Sequence, residues 1–317
     1  MGRIASHATN GPLVEPLPHD AGPGHEAVTP RERAAAYFAL TKPRIIELLL
    51  ITTVPPMIVA ADGWPSMWLI FATLTGGALA AGGANAINCY VDRDIDQMMP
   101  RTRKRPLPSH KVEPRNALFF GVALGVAAFV FLYLTVNPIS AVLAAAALLF
   151  YVFVYTIGLK RSTPQNIVIG GAAGAIPALV GWSAVTGRVD LPALALFAIV
   201  LYWTPPLFWA LAMRYEKEYA AAGVPMMPVV YGRAETAKHI LLYSLLLFAI
   251  CLVFFAVGRM GMIYLVAAIG LNGVFVGLAV RLWRRPERDV AWDLFRYSIY
   301  YLALLFGAMA ADRLITP

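Results

Sequence analysis

From about residue 44 onward, apolar residues fill runs of roughly twenty positions separated by short polar, Gly- or Pro-bearing connections. A bilayer core needs about 20 mostly apolar residues per helical span. Nine segments reach that length: roughly residues 44 to 62, 66 to 92, 116 to 136, 139 to 158, 166 to 186, 192 to 213, 237 to 257, 261 to 283 and 294 to 312. The pattern predicts an all-α, polytopic membrane protein built as a bundle of nine transmembrane helices. Residues 1 to 28 read differently. Their stretch "GPLVEPLPHDAGPGHEAVTP" is rich in Pro and Gly and cannot bury a core, which predicts a disordered cytoplasmic tail ahead of one membrane domain, residues 29–317. The tail shows no apolar run of a secretory signal. In "TPRE", Thr29 reads as a helix cap, Pro30 as the first helical position and Glu32 as the partner in a capping box, so a short interfacial helix leads into the first span.

Composition agrees: 59% of residues are hydrophobic and 14% charged, against about 25% charged in soluble domains. The net charge of +8 does not point to nucleic acid, because the basic residues are distributed by topology. With the N-terminus in the cytoplasm, only Arg188, Arg259 and Arg313 of the 26 Lys and Arg fall outside, as the positive-inside rule requires. The C-terminus is then outside. Outer connections such as "DGWPS" and "TGRVDL" are short and bland, so any chemistry belongs to the inner face. Cys89 and Cys251 lie in apolar helices at no metal-ligand spacing and read as packing residues.

The connection after the second span, "VDRDIDQMMPRTRKRPLPSHKVEPR", is the most informative. Asn88, Asp92 and Asp96 are four apart, so at roughly 100 degrees per residue each lies about 40 degrees from the last and all share one helix face. Asp94 points elsewhere. An amide and two carboxylates offer only oxygen donors, which suits a hard cation such as Mg²⁺, completed by water and substrate phosphate. The competing reading is that these acids only pair with the basic cluster that follows. Arg101 and Arg105 are also four apart, and a guanidinium fork matches phosphate oxygens, so acids and arginines together form a candidate site for a metal-bridged diphosphate. Arg103 and Lys104 read as topogenic charges.

Other inner connections add candidates. "FWALAMRYEKEYAAAGVPMMPVVYGR" carries Arg214 and Glu218, an i, i+4 pair flanked by Tyr215 and Tyr219. "YTIGLKRSTPQN" adds Tyr155, Lys160, Arg161, Gln165 and Asn166, and "TKPRIIELLL" adds Lys42, Arg44 and Glu47. Glu47 sits about one turn into the membrane, where an ionisable residue is a functional hypothesis by default. Glycines in "GGALAAGGANAIN" and "IGGAAGAIPALVG" predict close helix packing. Tyr202, Trp203, Phe208 and Trp209 suit either a cavity wall or an interface belt.

The spacing N-x-x-x-D-x-x-x-D at Asn88, Asp92 and Asp96 resembles the first aspartate motif of the UbiA-type membrane prenyltransferase superfamily. More narrowly, "LTKPRIIELLL", "NCYVDRDIDQMMPRTRKRPLP", "YTIGLKRSTPQNIVIGGAAGAIPALVGW" and "WTPPLFWALAMRYEKEYAAAGVPMMPVV" resemble its protohaem IX farnesyltransferase (haem O synthase) branch, from about residue 37 to the last span. The resemblance implies a nine-helix bundle in the cytoplasmic (inner) membrane, with its site open to the cytoplasm and to lipid. Its implied reaction is transfer of the farnesyl group of farnesyl diphosphate to a vinyl group of haem B. Water addition then gives haem O for haem-copper terminal oxidases, and the implied partners extend to haem A synthase or oxidase assembly factors. Carried over by residue, Asn88, Asp92 and Asp96 hold Mg²⁺ on the diphosphate. The second motif, usually D-x-x-x-D, falls on Arg214 and Glu218, a departure usual in this branch. A second departure is unusual. Where the branch reads Pro-Pro-His, this chain has Pro205, Pro206 and Leu207, and leucine neither donates a hydrogen bond nor ligates iron.

On this reading Lys42, Arg44, Arg101, Arg105, Tyr155, Lys160 and Arg161 cradle the leaving diphosphate while an allylic carbocation forms, so no protein nucleophile is needed. Prenyl transfer to a quinone precursor or other aromatic acceptor is the alternative within the same fold. A transporter is the rival from another class, although charges gathered at one face and no visible repeat disfavour it.

Overall fold

The computed structural model describes residues 29–316, with residues 44–50 described by their backbone alone. The predicted tail therefore lies outside the described residues, as do the side chains of Arg44 and Glu47. Helix α1 (Pro30–Leu40) opens with the predicted capping box: Thr29 Oγ1 accepts from the Glu32 amide at 3.3 Å, and the Thr29 amide donates to Glu32 Oε2 at 3.0 Å. A tight corner leads into α2 (Pro43–Ala61), followed by α3 (Met67–Val91), the short α4 (Arg93–Met98), α5 (Pro114–Thr135) and α6 (Pro138–Leu149). Helix α6 continues without interruption as a π-helical segment, Phe150–Leu159. Then come α7 (Asn166–Thr186), α8 (Leu191–Arg214), the short α9 (Glu216–Ala221), α10 (Met227–Val257), α11 (Met262–Arg284) and α12 (Arg288–Ile315).

Among the described residues eight spans are long and apolar enough to cross a membrane. The 19-residue α2 completes the expected nine. Each span packs on the next, and α12 returns to α2 and closes the ring. Helices α7 and α8 lie innermost, with 61% of the apolar window of each buried, against 17% for Pro138–Leu159. Two predicted boundaries move. Helix α10 begins at Met227 rather than near 237, after which Gly232 breaks the helical path at φ 78. Helix α12 begins at Arg288. The α12 extension carries a charged first turn, and the α10 extension carries Arg233 and Glu235 beyond the kink at Gly232, charges that a hydrophobicity pattern excludes.

The glycine prediction holds where α3 meets α5. A Cβ on Gly83 would lie 2.7 Å from the Gly121 carbonyl oxygen, so only glycine permits this backbone approach. That contact fixes the inner half of α3, which carries Asn85 and Asn88.

Candidate active site

Helix α3 ends at Val91 and α4 starts at Arg93, yet the turn between them does not break the i, i+4 register. The Asp92 amide donates to the Asn88 carbonyl and the Asp96 amide to the Asp92 carbonyl, both at 2.9 Å. Asn88, Asp92 and Asp96 therefore share one face, as their spacing predicts, and they are 2%, 0% and 3% exposed. Buried carboxylates require partners, and each has one. Asp92 Oδ2 is bonded to Lys160 Nζ and, at 2.7 Å, to Asn88 Nδ2. Both oxygens of Asp96 accept from Arg105 Nη1, at 2.9 and 2.8 Å. Lys42 Nζ donates to Asn88 Oδ1 at 2.7 Å.

Asp94 points away, 60% exposed along its side chain, and takes a bidentate pair from Arg161 at 2.6 and 2.7 Å. The Arg161 bond holds its carboxyl at about 2, below the usual carboxylate range. Arg161 also donates to the Val91 carbonyl at 3.1 Å, and so caps α3 with positive charge. Burial pushes the Lys42 ammonium below the usual lysine range, and the nearby Arg105 and Lys160 act in the same direction. Lys42 occupies the left-handed region at φ 53, a costly conformation for a lysine. Asn85 Nδ2 donates to the Thr41 carbonyl at 3.0 Å and pins this corner, which aims Lys42 inward.

The π-helical segment brings two of the candidate residues into line. Tyr155 and Lys160 are five apart, which on an α-helix would set them about 140 degrees apart. In the π register the Lys160 amide donates to the Tyr155 carbonyl at 2.8 Å, and the two align. Tyr155 then lies flat on α7, where a Cβ on Gly170 would come within 2.2 Å of its ring. Thr156, which sequence reasoning passed over, is fully buried and touches Asn88 Nδ2 through Oγ1 at 3.2 Å.

Two expected pairings do not form. Residues 99 to 113 run as turns rather than helix, so Arg101 and Arg105 diverge. Arg105 faces Asp96, whereas Arg101 bonds Tyr219 Oη at 2.7 Å, lies 3.7 Å from Glu218 and covers the Tyr215 and Tyr219 rings at 4.9 and 5.1 Å. Arg214 and Glu218 are separated by the bend at Tyr215, φ −106. Arg214 instead reaches Asp289 at 3.3 Å and the Trp292 ring at 5.6 Å. Beneath the Arg101 clamp, Ile95 and Met99 of the acid-bearing segment pack in one apolar cluster with Ile167, Val224 and Met226. The two connections thus form a single layer. Leu207 is 5% exposed within the main apolar core, and Trp209 packs edge-on against Tyr243 of α10 at 5.2 Å.

The donor set accommodates a hard cation. It is all oxygen, and Asp92 Oδ1 is buried with no hydrogen-bond partner among the described residues, 3.7 Å from Arg161. An orphaned buried carboxylate oxygen costs free energy unless a ligand engages it. Among the described residues no three acidic, histidine or cysteine side chains converge, so the rest of a cation's shell would have to come from water and substrate oxygens.

Comparison with known proteins agrees with this geometry. The UbiA prenyltransferase family description matches residues 49–305. A relative from Parafrankia sp. (strain EAN1pec), named protoheme IX farnesyltransferase, is 54% identical over 287 residues, covering 90% of this chain and 92% of its own. A Chloroflexus aurantiacus protein of the same name is 51% identical over 90% of this chain, which spans only 49% of that relative. Among solved structures, a UbiA homologue from Archaeoglobus fulgidus bound to DMAPP and Mg²⁺ superposes with a TM-score of 0.61 at 15% identity, over 86% of this chain and 98% of that one. A ring of nine spans, a buried Asn-Asp-Asp face at one end and a family match across most of the length lead to one assignment: the chain belongs to the UbiA prenyltransferase family.

Proposed function

We propose that the chain transfers the farnesyl group of farnesyl diphosphate to a vinyl group of haem B and so makes haem O. The carrying observation is the buried face of Asn88, Asp92 and Asp96 with Lys42, Lys160 and Arg105 against it, in a chain 54% identical to a protoheme IX farnesyltransferase. In the reaction the allylic C–O bond breaks with its electron pair leaving on the diphosphate. The vinyl π pair then forms the new C–C bond. Water captures the cation left beside the porphyrin ring and loses a proton, which leaves the hydroxyl.

Asn88, Asp92 and Asp96 are the residues that would hold Mg²⁺, which when bound supplies positive charge against the leaving diphosphate. The chain's own cations do related work. Lys160 and Arg105 already face the acids and Lys42 faces Asn88, from three separate segments, so a diphosphate arriving there meets preorganised donors that need no reorganisation during bond breaking. Arg101 acts one step removed, by tying the α4 segment to α9. A quinone-precursor acceptor is the weaker reading, since it leaves the identity to protoheme-directed relatives unexplained. We further place the acid face at the cytoplasmic side of the inner membrane, supported by the distribution of Lys and Arg. There haem A synthase or oxidase assembly factors would receive the product.

Incubation of the purified protein with haem B, farnesyl diphosphate and Mg²⁺, followed by mass identification of the pigments, tests the assignment. A farnesylated, hydrated porphyrin is expected. Turnover of farnesyl diphosphate onto a non-porphyrin acceptor alone would overturn it.

A further inference from the structure

We infer that Thr156 is a positioning residue that fixes which end of the Asn88 amide faces the diphosphate subsite, an inference that rests on Asn88 being a cation ligand. An amide presents one oxygen and two N–H donors. Only the oxygen can ligate a cation, so a flipped Asn88 would turn a donor toward the ion. Asn88 is 2% exposed, and bulk water cannot sort the two ends. Its present partners do. Lys42 Nζ is donor-only and faces Oδ1 at 2.7 Å, while the Asp92 carboxylate faces Nδ2 at 2.7 Å.

Both of those partners are charged groups that the arriving cation and diphosphate would engage. Thr156 is neutral and stays. Its hydroxyl hydrogen is committed to the Tyr151 carbonyl at 2.8 Å, so Oγ1 can offer Asn88 Nδ2 only a lone pair, at 3.2 Å. The π register supplies this arrangement by placing Thr156 in line with the residue five before it. A β-branched, fully buried side chain has little freedom to turn away. Thr156 thus holds the N–H end and leaves Oδ1 on the side that faces Lys42, whichever way the charges are paired.

The test uses Mn²⁺ as a paramagnetic stand-in for Mg²⁺, with the unreactive thiolo analogue of farnesyl diphosphate and full-length protein in nanodiscs. Outer-shell partners of metal ligands typically contribute about 10- to 100-fold in affinity. Thr156→Val is therefore expected to weaken Mn²⁺ binding by about tenfold or more, and Thr156→Ser to restore it. In an Asn88→Asp background, where both ends are oxygen and nothing needs sorting, Thr156→Val should change binding by less than about twofold. An additive loss there would mark a merely structural role and overturn the inference. So would unchanged binding in Thr156→Val alongside loss in Asp92→Asn. Unchanged binding in Asp92→Asn would remove the cation reading itself, and this inference with it. Should Thr156→Val fail to fold, the Asn88→Asp background comparison is made with Thr156→Ala, and the same additivity criterion decides.

Discussion

At Asp92 one oxygen is held by Lys160 and Asn88, and the other is buried without a hydrogen-bond partner among the described residues. Replacement by Asn keeps the shape and removes the charge. Asp92→Asn is expected to lower prenyl transfer by about 10²-fold or more, the scale on which one electrostatic stabiliser acts, with the helical fold intact by circular dichroism. Asp94 offers the contrast. Its folded pKa is depressed to about 2 by Arg161, so the pair's stabilisation is present above the unfolded value near ~3.9 and is lost as pH falls toward 2. Because Asp94 is 60% exposed, that stabilisation is at most about 1 kcal/mol. Unfolding of wild type and Asp94→Asn in micelles should differ slightly at neutral pH and converge by the acid end, while their prenyl transfer rates match. Much of this was legible in the sequence, because i, i+4 spacing survives the junction at Asp92. Thr156 was not legible: its partner Asn88 lies 68 residues away, and the register that turns it there is a π-helix, which α-helical periodicity does not reveal.

At the scale of elements, two connections carry the site, and the helices exist to hold them together. Arg101 and the apolar cluster under it couple α4 to α9. Sequence spacing paired Arg101 with Arg105 and Arg214 with Glu218, but it assumed helix where the chain runs as turns after Met99 and bends at Tyr215. The corrected pairing has a kinetic consequence. Arg101→Ala should raise KM for farnesyl diphosphate several-fold while leaving the metal requirement unchanged, whereas Arg105→Ala, which frees Asp96, should depress kcat. Equal effects of the two variants on both parameters would contradict the division. Tight α3–α5 contact supports the same site from below. Gly83→Val would force its side chain onto the Gly121 carbonyl, an overpacking expected to cost roughly 1–3 kcal/mol, measurable as a lowered Tm.

For the whole molecule, the ring of spans turns a linear charge asymmetry into a two-sided machine. The hydrophobic pattern gave the number of spans because lipid imposes length and polarity together. It could not give the closure of α12 onto α2, nor the inner position of α7 and α8, since apolar residues face both lipid and core. The orientation proposed from the basic residues is open to a direct check. A cysteine placed at Ser109 should react with an impermeant thiol reagent only from the cytoplasmic side, and one at Arg188 only from the opposite side. The buried Cys89 and Cys251 should stay silent.

The most direct test of the central claim, that the Asn88–Asp92–Asp96 face drives ionisation of the prenyl diphosphate, is the rate of diphosphate release from farnesyl diphosphate in the presence of haem B. It should be measured with and without Mg²⁺ in wild type and Asp92→Asn. Mg²⁺-dependent release matched by haem O formation is expected in wild type, with loss of both in the variant. Release at the wild-type rate by Asp92→Asn, or release indifferent to removal of the metal by chelation, would contradict it.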